Sequence, residues 1–250
     1  RAFIQHKLYA ADTQWKLYTI GPMFRKERPQ KGRYRQFYQI NAEVFDAGAP
    51  YMDAQLIHMV TGFFERLSIS GLSVHLNSLG CPACRPGYRE ALSALLSENA
   101  EQLCADCKRR LGKNPLRVLD CKVPGCREMV AGAPSMVDYL CGDCAVHSKV
   151  VRSTLSDLGV VYEIDPRLVR GLDYYTRTAF EIQTTALGAQ NAVAGGGRYD
   201  NLVEMLGGPS QAAIGFAVGL DRLVELVAAQ SPAGEPTPEV FLVPMGEAAQ

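Results

Sequence analysis

The sequence predicts an α+β fold built on an antiparallel sheet with flanking helices and a Cys-rich, mainly helical insertion. Three observations carry this expectation. Strand-like and helix-like stretches follow one another irregularly, without the strand and helix alternation of a doubly wound sheet. Two β-rich runs, WKLYTIG and FYQINAEVFD, flank a basic loop, which is the pattern of an antiparallel hairpin with a long tip. All eight cysteines fall between Cys81 and Cys144.

The elements follow in chain order. The opening RAFIQHKLYA has the spacing of an amphipathic helix without a start signal in front of it, so the chain is expected to begin inside a domain. After the hairpin, Tyr51 to Leu67 has helical spacing, LSVHLNSL reads as a strand and GYREALSALLSENAEQL as a helix. NPLRVLD reads as a returning strand, and VVYEI, YYTRTAFEIQTT and NAVAGGG as further strands. IGFAVGLDRLVELVAA reads as one helix. SPAGEPTP, from Ser231 to Pro238, is Pro/Gly punctuation typical of a linker, and EVFLVPMG after it reads as a buried strand opening a further domain.

Composition narrows the function classes. Twenty-six Lys and Arg balance 26 Asp and Glu, so any anion site is local and a whole-molecule nucleic-acid footprint is not expected. The 47% hydrophobic content supports an ordinary core and argues against disorder. No run approaches the roughly 18 apolar residues of a membrane span, and the amino end has no secretory pattern, so a soluble cytoplasmic chain without a membrane partner is expected.

The basic loop is the first chemical signal. Arg25, Arg28, Lys31, Arg33 and Arg35 precede Phe37, so guanidinium forks could hold phosphates while a ring stacks on a base. A nucleoside triphosphate fits that description, and a solvated charged loop is the competing reading. The glycines of AGGGRYD lack the spacing of a phosphate loop and instead mark close backbone approach, to a neighbour or to a ligand.

The cysteines are the second signal. They form Cys81/Cys84, Cys104/Cys107, Cys121/Cys126 and Cys141/Cys144, a paired spacing that favours zinc over disulfides in the cytoplasm. Eight thiolates could complete two tetrahedral all-cysteine sites, with reduced structural thiols as the alternative. Sharing between Cys81/Cys84 and Cys104/Cys107 is disfavoured, because a helix between them would separate the pairs by roughly 20 Å at about 1.5 Å per residue. Cys81/Cys84 sharing with a later pair is the preferred pattern, and the partition stays open.

FRKERPQKGRYRQF closely resembles the second signature motif of class II aminoacyl-tRNA synthetases, in the form carried by the histidyl-tRNA synthetase family. LVRGLDYYTRTAFE is similar to that family's histidine-binding signature, AGGGRYDNLVEMLGG to its glycine-rich strand and GFAVGLDRL to the third class II motif. The resemblance implies a class II synthetase core that activates histidine with ATP and Mg²⁺ and transfers it to tRNA(His). It implies that Arg25 holds the α-phosphate, Glu27 reads the adenine amino group, Phe37 stacks on the ring and Arg33 reaches the outer phosphates. Arg222 is the implied third-motif arginine on the opposite side of the triphosphate. Arg170 stands at the catalytic arginine, between the substrate carboxylate and the α-phosphate. Gln39, Glu43, Tyr174, Tyr175, Gly195 and Gly196 match amino-acid-binding positions.

The implied organisation is a first part of the core over residues 1–80, a Cys-rich insertion over 81–150, a second part over 151–230, and a linker opening an anticodon-binding domain over 231–250. The insertion would pack near the acceptor stem of tRNA, where Lys108, Arg109, Arg110, Lys113 and Arg117 could touch phosphates. Zinc there would be structural. The first class II motif, which builds the interface of a homodimeric parent, would lie before Arg1, so the chain is expected to be a catalytic-core fragment. Two competing readings are a noncatalytic relative such as the regulatory subunit of ATP phosphoribosyltransferase, and a zinc-stabilised RNA-binding module.

Overall fold

A computed structural model describes residues 1–11, 13–26, 28–29, 34–169, 174–187 and 191–230. The linker and strand expected beyond residue 230 lie outside the described residues. β1 (Trp15–Phe24) and β2 (Gln36–Phe45) form the expected hairpin, paired from Trp15 with Phe45 to Phe24 with Gln36. β1 is an edge strand, which is where Gly21 and Pro22 are tolerated, since an edge backbone leaves one side unpaired.

The remaining strands are β3 (Leu72–Ser78), β4 (Glu163–Ile164), β5 (Thr176–Thr184), β6 (Ala192–Arg198) and β7 (Ala213–Gly219). They complete one seven-stranded sheet in the order β1-β2-β7-β6-β5-β3-β4. Every pairing is antiparallel except the short parallel contact of β3 with β4. The helices are α1 (Ala2–Gln5), α2 (Tyr51–Arg66), α3 (Arg85–Glu98), α4 (Ala105–Leu111), α5 (Pro124–Val130), α6 (Gly142–Asp157), α7 (Leu202–Met205) and α8 (Leu220–Gln230).

Three expectations are corrected. IGFAVGLDRLVELVAA is not one helix: its first six residues belong to β7, and only the rest forms α8. Two glycines four apart each weaken a helix by about 1 kcal/mol relative to Ala, and here they serve a strand. The opening decapeptide is a turn of helix and a 3₁₀ turn over Leu8–Ala10, broken by Lys7 at φ 51°. NPLRVLD supplies a 3₁₀ turn, Pro115–Val118, because Asn114 accepts the Arg117 N–H at 3.1 Å and no strand of the sheet lies alongside it.

One face of the sheet is packed by α2, α6 and α8. Leu56, Ile57, Val60 and Phe64 of α2, Val151 and Leu155 of α6 and Leu223 and Leu226 of α8 bury against Val44, Phe180, Ile182, Val193, Ile214 and Val218. Beneath this layer lies a charged knot. Arg198, fully buried, directs its five N–H donors to both Asp53 oxygens, the Ala47 and Ala49 carbonyls and Asp200. His147 lies 3.5 Å from Asp53, and burial together with the nearby Arg198 and Arg177 charges pushes its pKa down to about 3. It is a neutral core histidine, and its Nε2 has no hydrogen-bond partner among the described residues.

The segment after β3 builds a second core around α3, where Tyr88, Leu92, Leu96, Leu103, Val118, Val130 and Met136 pack with the cysteines. α6 joins the two cores, since its first turn carries Cys144 and its later turns carry Val151 and Leu155.

Candidate active site

The opposite face of the sheet is covered in places, by Phe3 stacked on Phe45 and by the second core at Ala179, and strand periodicity explains what it presents elsewhere. Side chains alternate across a strand, so Phe37, Gln39, Asn41, Glu43 and Phe45 share one face of β2 while Ile40, Ala42 and Val44 turn to the core. The register puts Gly219 beside Gln39, Ala217 beside Asn41 and Gly215 beside Glu43. On β6 the same row continues through Gly195 opposite Ala217 and Gly197 opposite Gly215. The two central strands therefore present only Gly and Ala on this face, which makes a floor.

That floor carries a cavity of about 350 Å³, lined in part by Glu43, Tyr174, Tyr175, Gly195, Tyr199 and Gly215. A Cβ on Gly215 would collide with the Glu43 carboxylate, and one on Gly197 would lie 2.8 Å from the Tyr175 ring. The missing side chains let both groups lie against the sheet. Tyr199 donates its hydroxyl proton to Glu43 and stacks on Tyr175 at 6.4 Å and 20°. Tyr174 meets Tyr175 edge-on at 4.9 Å.

Burial pushes the Glu43 carboxyl up to about 7, and the hydrogen bond from Tyr199 pulls in the opposite direction. Burial and the Glu43 charge raise the Tyr199 phenol, which stays a neutral donor. A carboxyl poised near neutrality between phenols can recognise a ring that both donates and accepts a proton.

At the far end of β2 the basic hairpin closes on itself. The Arg25 guanidinium lies 3.8 Å above the centre of the Phe37 ring, and its Nε donates to the Tyr34 carbonyl at 2.8 Å. Arg222, on the first turn of α8, donates to the Ala192 carbonyl, and its stem passes 3.8 Å from where a Gly219 Cβ would stand. Asp221 accepts the Tyr38 N–H at 3.0 Å and ties α8 to the hairpin. Phe37 and Glu43 are six residues apart on one face, about 20 Å at the usual strand rise. The row runs from a cationic end to a carboxyl end, and the cavity lies at the carboxyl end.

The family profile described as Histidyl-tRNA synthetase matches residues 2–223. The chain belongs to the histidyl-tRNA synthetase family. A relative named histidine–tRNA ligase from Desulforapulum autotrophicum is 60% identical over 250 residues, covering all of this chain and 59% of that protein. One of the same name from Desulfosudis oleivorans is 59% identical over 251 residues, again covering all of this chain and 59% of that protein. The apo histidyl-tRNA synthetase of S. aureus superposes with a TM-score of 0.73 at 35% identity, covering 94% of this chain and 56% of that one. The chain thus spans about three-fifths of the length of the curated relatives it matches.

In this member of the family, Arg25, Phe37, Gln39, Glu43, Tyr174, Tyr175, Gly195 and Arg222 sit along that row or at its ends. Gly196 faces the other way: a Cβ there would lie 2.8 Å from the Phe180 ring, so its smallness serves the core. Glu27, Arg33 and Arg170 lie outside the described residues. The flanks of Arg170 are anchored, by Asn77 Nδ2 donating to the Leu168 carbonyl at 3.1 Å and by Arg85 donating to the Tyr175 carbonyl.

Sequence reasoning missed Tyr199, Gly197 and Gly215 as site members, and the Asp53–Arg198 pair that clamps the strand beneath them. The usable signal was period two: in AGGGRYD every second residue shares a face, so Gly195, Gly197 and Tyr199 go together.

The basic residues of the insertion line a separate cleft of about 550 Å³ formed by Asp106, Arg109, Arg110, Lys113, Asn114 and Arg117. Arg109 pairs with Asp106, and Arg110 donates to the Arg117 carbonyl at 3.0 Å. The cysteines gather into two clusters, Cys81/Cys84 with Cys141/Cys144 and Cys104/Cys107 with Cys121/Cys126.

Proposed function

We propose that the protein carrying this chain condenses histidine with ATP to histidyl-adenylate and pyrophosphate and then transfers histidine to tRNA(His). The observation that carries this reading is the single row on β2, with Phe37 under the cationic hairpin at one end and Glu43 among three tyrosines at the other. The imidazole of histidine offers one donor and one acceptor, which matches a carboxyl near its midpoint at pH 7 beside phenols. The adenine stacks on Phe37, displacing Arg25 from the ring towards the α-phosphate. Gln39 and the glycine floor hold the amino acid between these ends.

A carboxylate oxygen of histidine attacks the α-phosphorus and pyrophosphate leaves, so the protein's task is alignment and charge stabilisation, with no protein nucleophile. Arg25, Arg170 and Arg222 supply the positive charge, with Arg33 on the outer phosphates and Glu27 on the adenine amino group. Mg²⁺, when bound, offsets the charge of the triphosphate. The basic cleft around Arg109 and Lys113 belongs to the tRNA-facing side, and the cysteine clusters hold structural zinc. We assign residues 1–80 and 151–230 to the catalytic core, 81–150 to the insertion and 231–250 to the start of a further domain, in a cytoplasmic homodimer.

Pyrophosphate exchange tests the reading. Arg170→Ala is expected to lower histidine-dependent exchange by about 10²- to 10³-fold while ATP still binds. Unchanged exchange would overturn the role.

A further inference from the structure

We infer that the eight cysteines form two nested tetrathiolate zinc centres, and that the outer one sets the position of Tyr175 in the histidine pocket. The geometry of the sulfurs carries the first part. Cys81 Sγ lies 3.6 Å from Cys84 Sγ and 3.9 Å from Cys141 Sγ, and Cys104 Sγ lies 3.9 Å from Cys121 Sγ. A disulfide requires about 2.05 Å, whereas four sulfurs at about 2.3 Å from one zinc stand about 3.8 Å apart along the edges of the tetrahedron. In each cluster all four sulfurs lie within 4.8 Å of one another.

Each cluster also has a backbone donor reaching across its two pairs. The Cys141 N–H donates to Cys84 Sγ at 3.1 Å, and the Cys104 N–H donates to Cys126 Sγ at 3.2 Å. Such donors stabilise a thiolate, the form that binds metal. An all-sulfur tetrahedral set excludes Mg²⁺ and Ca²⁺, which require oxygen, and suits zinc or iron; zinc is the ion proposed, since the clusters are placed to brace the fold and no redox role is invoked. Cys81, Cys104 and Cys141 are only half-buried, which leaves each centre an entry path.

The two centres do different things because of where they sit. The inner one, with Cys104, Cys107, Cys121 and Cys126, joins α4 to α5 and touches only the insertion. The outer one closes the insertion at its root, where β3 leaves the sheet and α6 returns to it. Directly before it, Leu79 donates to the Arg177 carbonyl at 2.6 Å and Arg177 donates to the Gly80 carbonyl at 2.8 Å. Gly80 has φ +59°, and a Cβ there would stand 2.6 Å from Cys84 Cβ, so this turn and the cluster fit only together. Directly after it, Arg85 donates through Nε to the Leu79 carbonyl at 3.4 Å and through Nη2 to the Tyr175 carbonyl. Arg85 follows a ligand, Tyr175 stacks on Tyr199, and Tyr199 holds Glu43. The outer metal thereby fixes a strut that ends on the pocket. Arg85 is a positioning residue.

This second part rests on the histidine pocket proposed above. The first measurement is the zinc content, by mass spectrometry under native conditions, of the chain purified without chelator. Two zinc ions per chain are expected from the two clusters, and none would overturn the proposal. Replacement of zinc by cobalt(II) in the unmutated chain should give the absorption of tetrahedral thiolate-bound cobalt, and its absence would likewise overturn it. Cys141→Ser and Cys104→Ser should each retain one zinc, with Cys141→Ser weakening histidine binding about tenfold more than Cys104→Ser. Arg85→Leu, with all ligands present, should keep both metals and lose about tenfold in histidine affinity. Equal losses from both cysteine variants, or full affinity in Arg85→Leu, would overturn the coupling. Two zinc ions in a chain that binds no histidine at all would uphold the centres and overturn the pocket.

Discussion

The sheet and the insertion solve the same problem with different materials. The sheet buries a helix-covered layer of large aliphatic and aromatic side chains, and among the described residues none of the buried members of that core is a cysteine. In the insertion core, five of the sixteen buried members are cysteines, so sulfur occupies positions that the sheet fills with Leu, Ile and Phe. A short helical segment with so few large apolar groups cannot offset its conformational entropy by burial alone. The contrast shows that a chain can hold one part by aliphatic packing and its appended lobe by clustered cysteines, with the two joined at a root such as Leu79–Arg85.

The largest expected effect breaks that contrast directly. Stripping metal with a chelator should melt the insertion while the sheet persists, since structural zinc contributes on the order of 10 kcal/mol to the folding of small lobes. Circular dichroism and proteolysis should show lost helix and cleavage confined to the segment between Cys81 and Cys144.

In the sheet the comparable change is electrostatic. Asp53→Asn removes the fully buried carboxylate that holds Arg198 and leaves only Asp200 to balance its charge, and a loss of about 3–5 kcal/mol is expected in denaturant titration. That loss should be the same with and without chelator, because the pair belongs to the sheet.

These two features differ in how far the sequence disclosed them. The hairpin, α2 and β3 were legible, because alternation and helical spacing are local and strong there. β7 was not, since a short apolar run with glycines reads equally as strand or helix until its partner β2 is known. The Asp53–Arg198 pair joins residues 145 apart in sequence, which no local pattern reports. The pairing of the cysteines was legible in their spacing, but their partition into two clusters depended on how α3 and the 3₁₀ turn at Pro115–Val118 fold back. The candidate site residues were named mainly through the motif resemblance. Gly215 and Tyr199, which shape Glu43, emerged only when the register of β2, β7 and β6 was known.

A smaller effect sharpens the account of the floor. Gly215→Ala places a methyl group against the Glu43 carboxylate and should weaken histidine binding by about tenfold, with stability reduced by about 1–3 kcal/mol at most. Calorimetry of histidine binding, paired with a thermal melt, separates the two.

The smallest effect is a dependence on pH. The Glu43 carboxyl is raised from 4.5 to about 7 on folding, so the folded chain holds an extra proton within that window. Stability contributed by the protonated group is complete below 4.5 and falls as pH rises towards 7. Glu43→Gln should therefore raise the melting temperature at pH 8 and leave it nearly unchanged at pH 4, as checked by melts at both values.

The central claim is that one row on β2 reads histidine at one end and a nucleotide at the other. Calorimetric titration of the chain with a nonhydrolysable histidyl-adenylate analogue, with other aminoacyl-adenylate analogues as controls, tests it most directly. Selective binding of the histidyl compound, weakened about tenfold in Gly215→Ala, is the predicted result. Equal binding of all the analogues, or selective binding unaffected by Gly215→Ala, would contradict it.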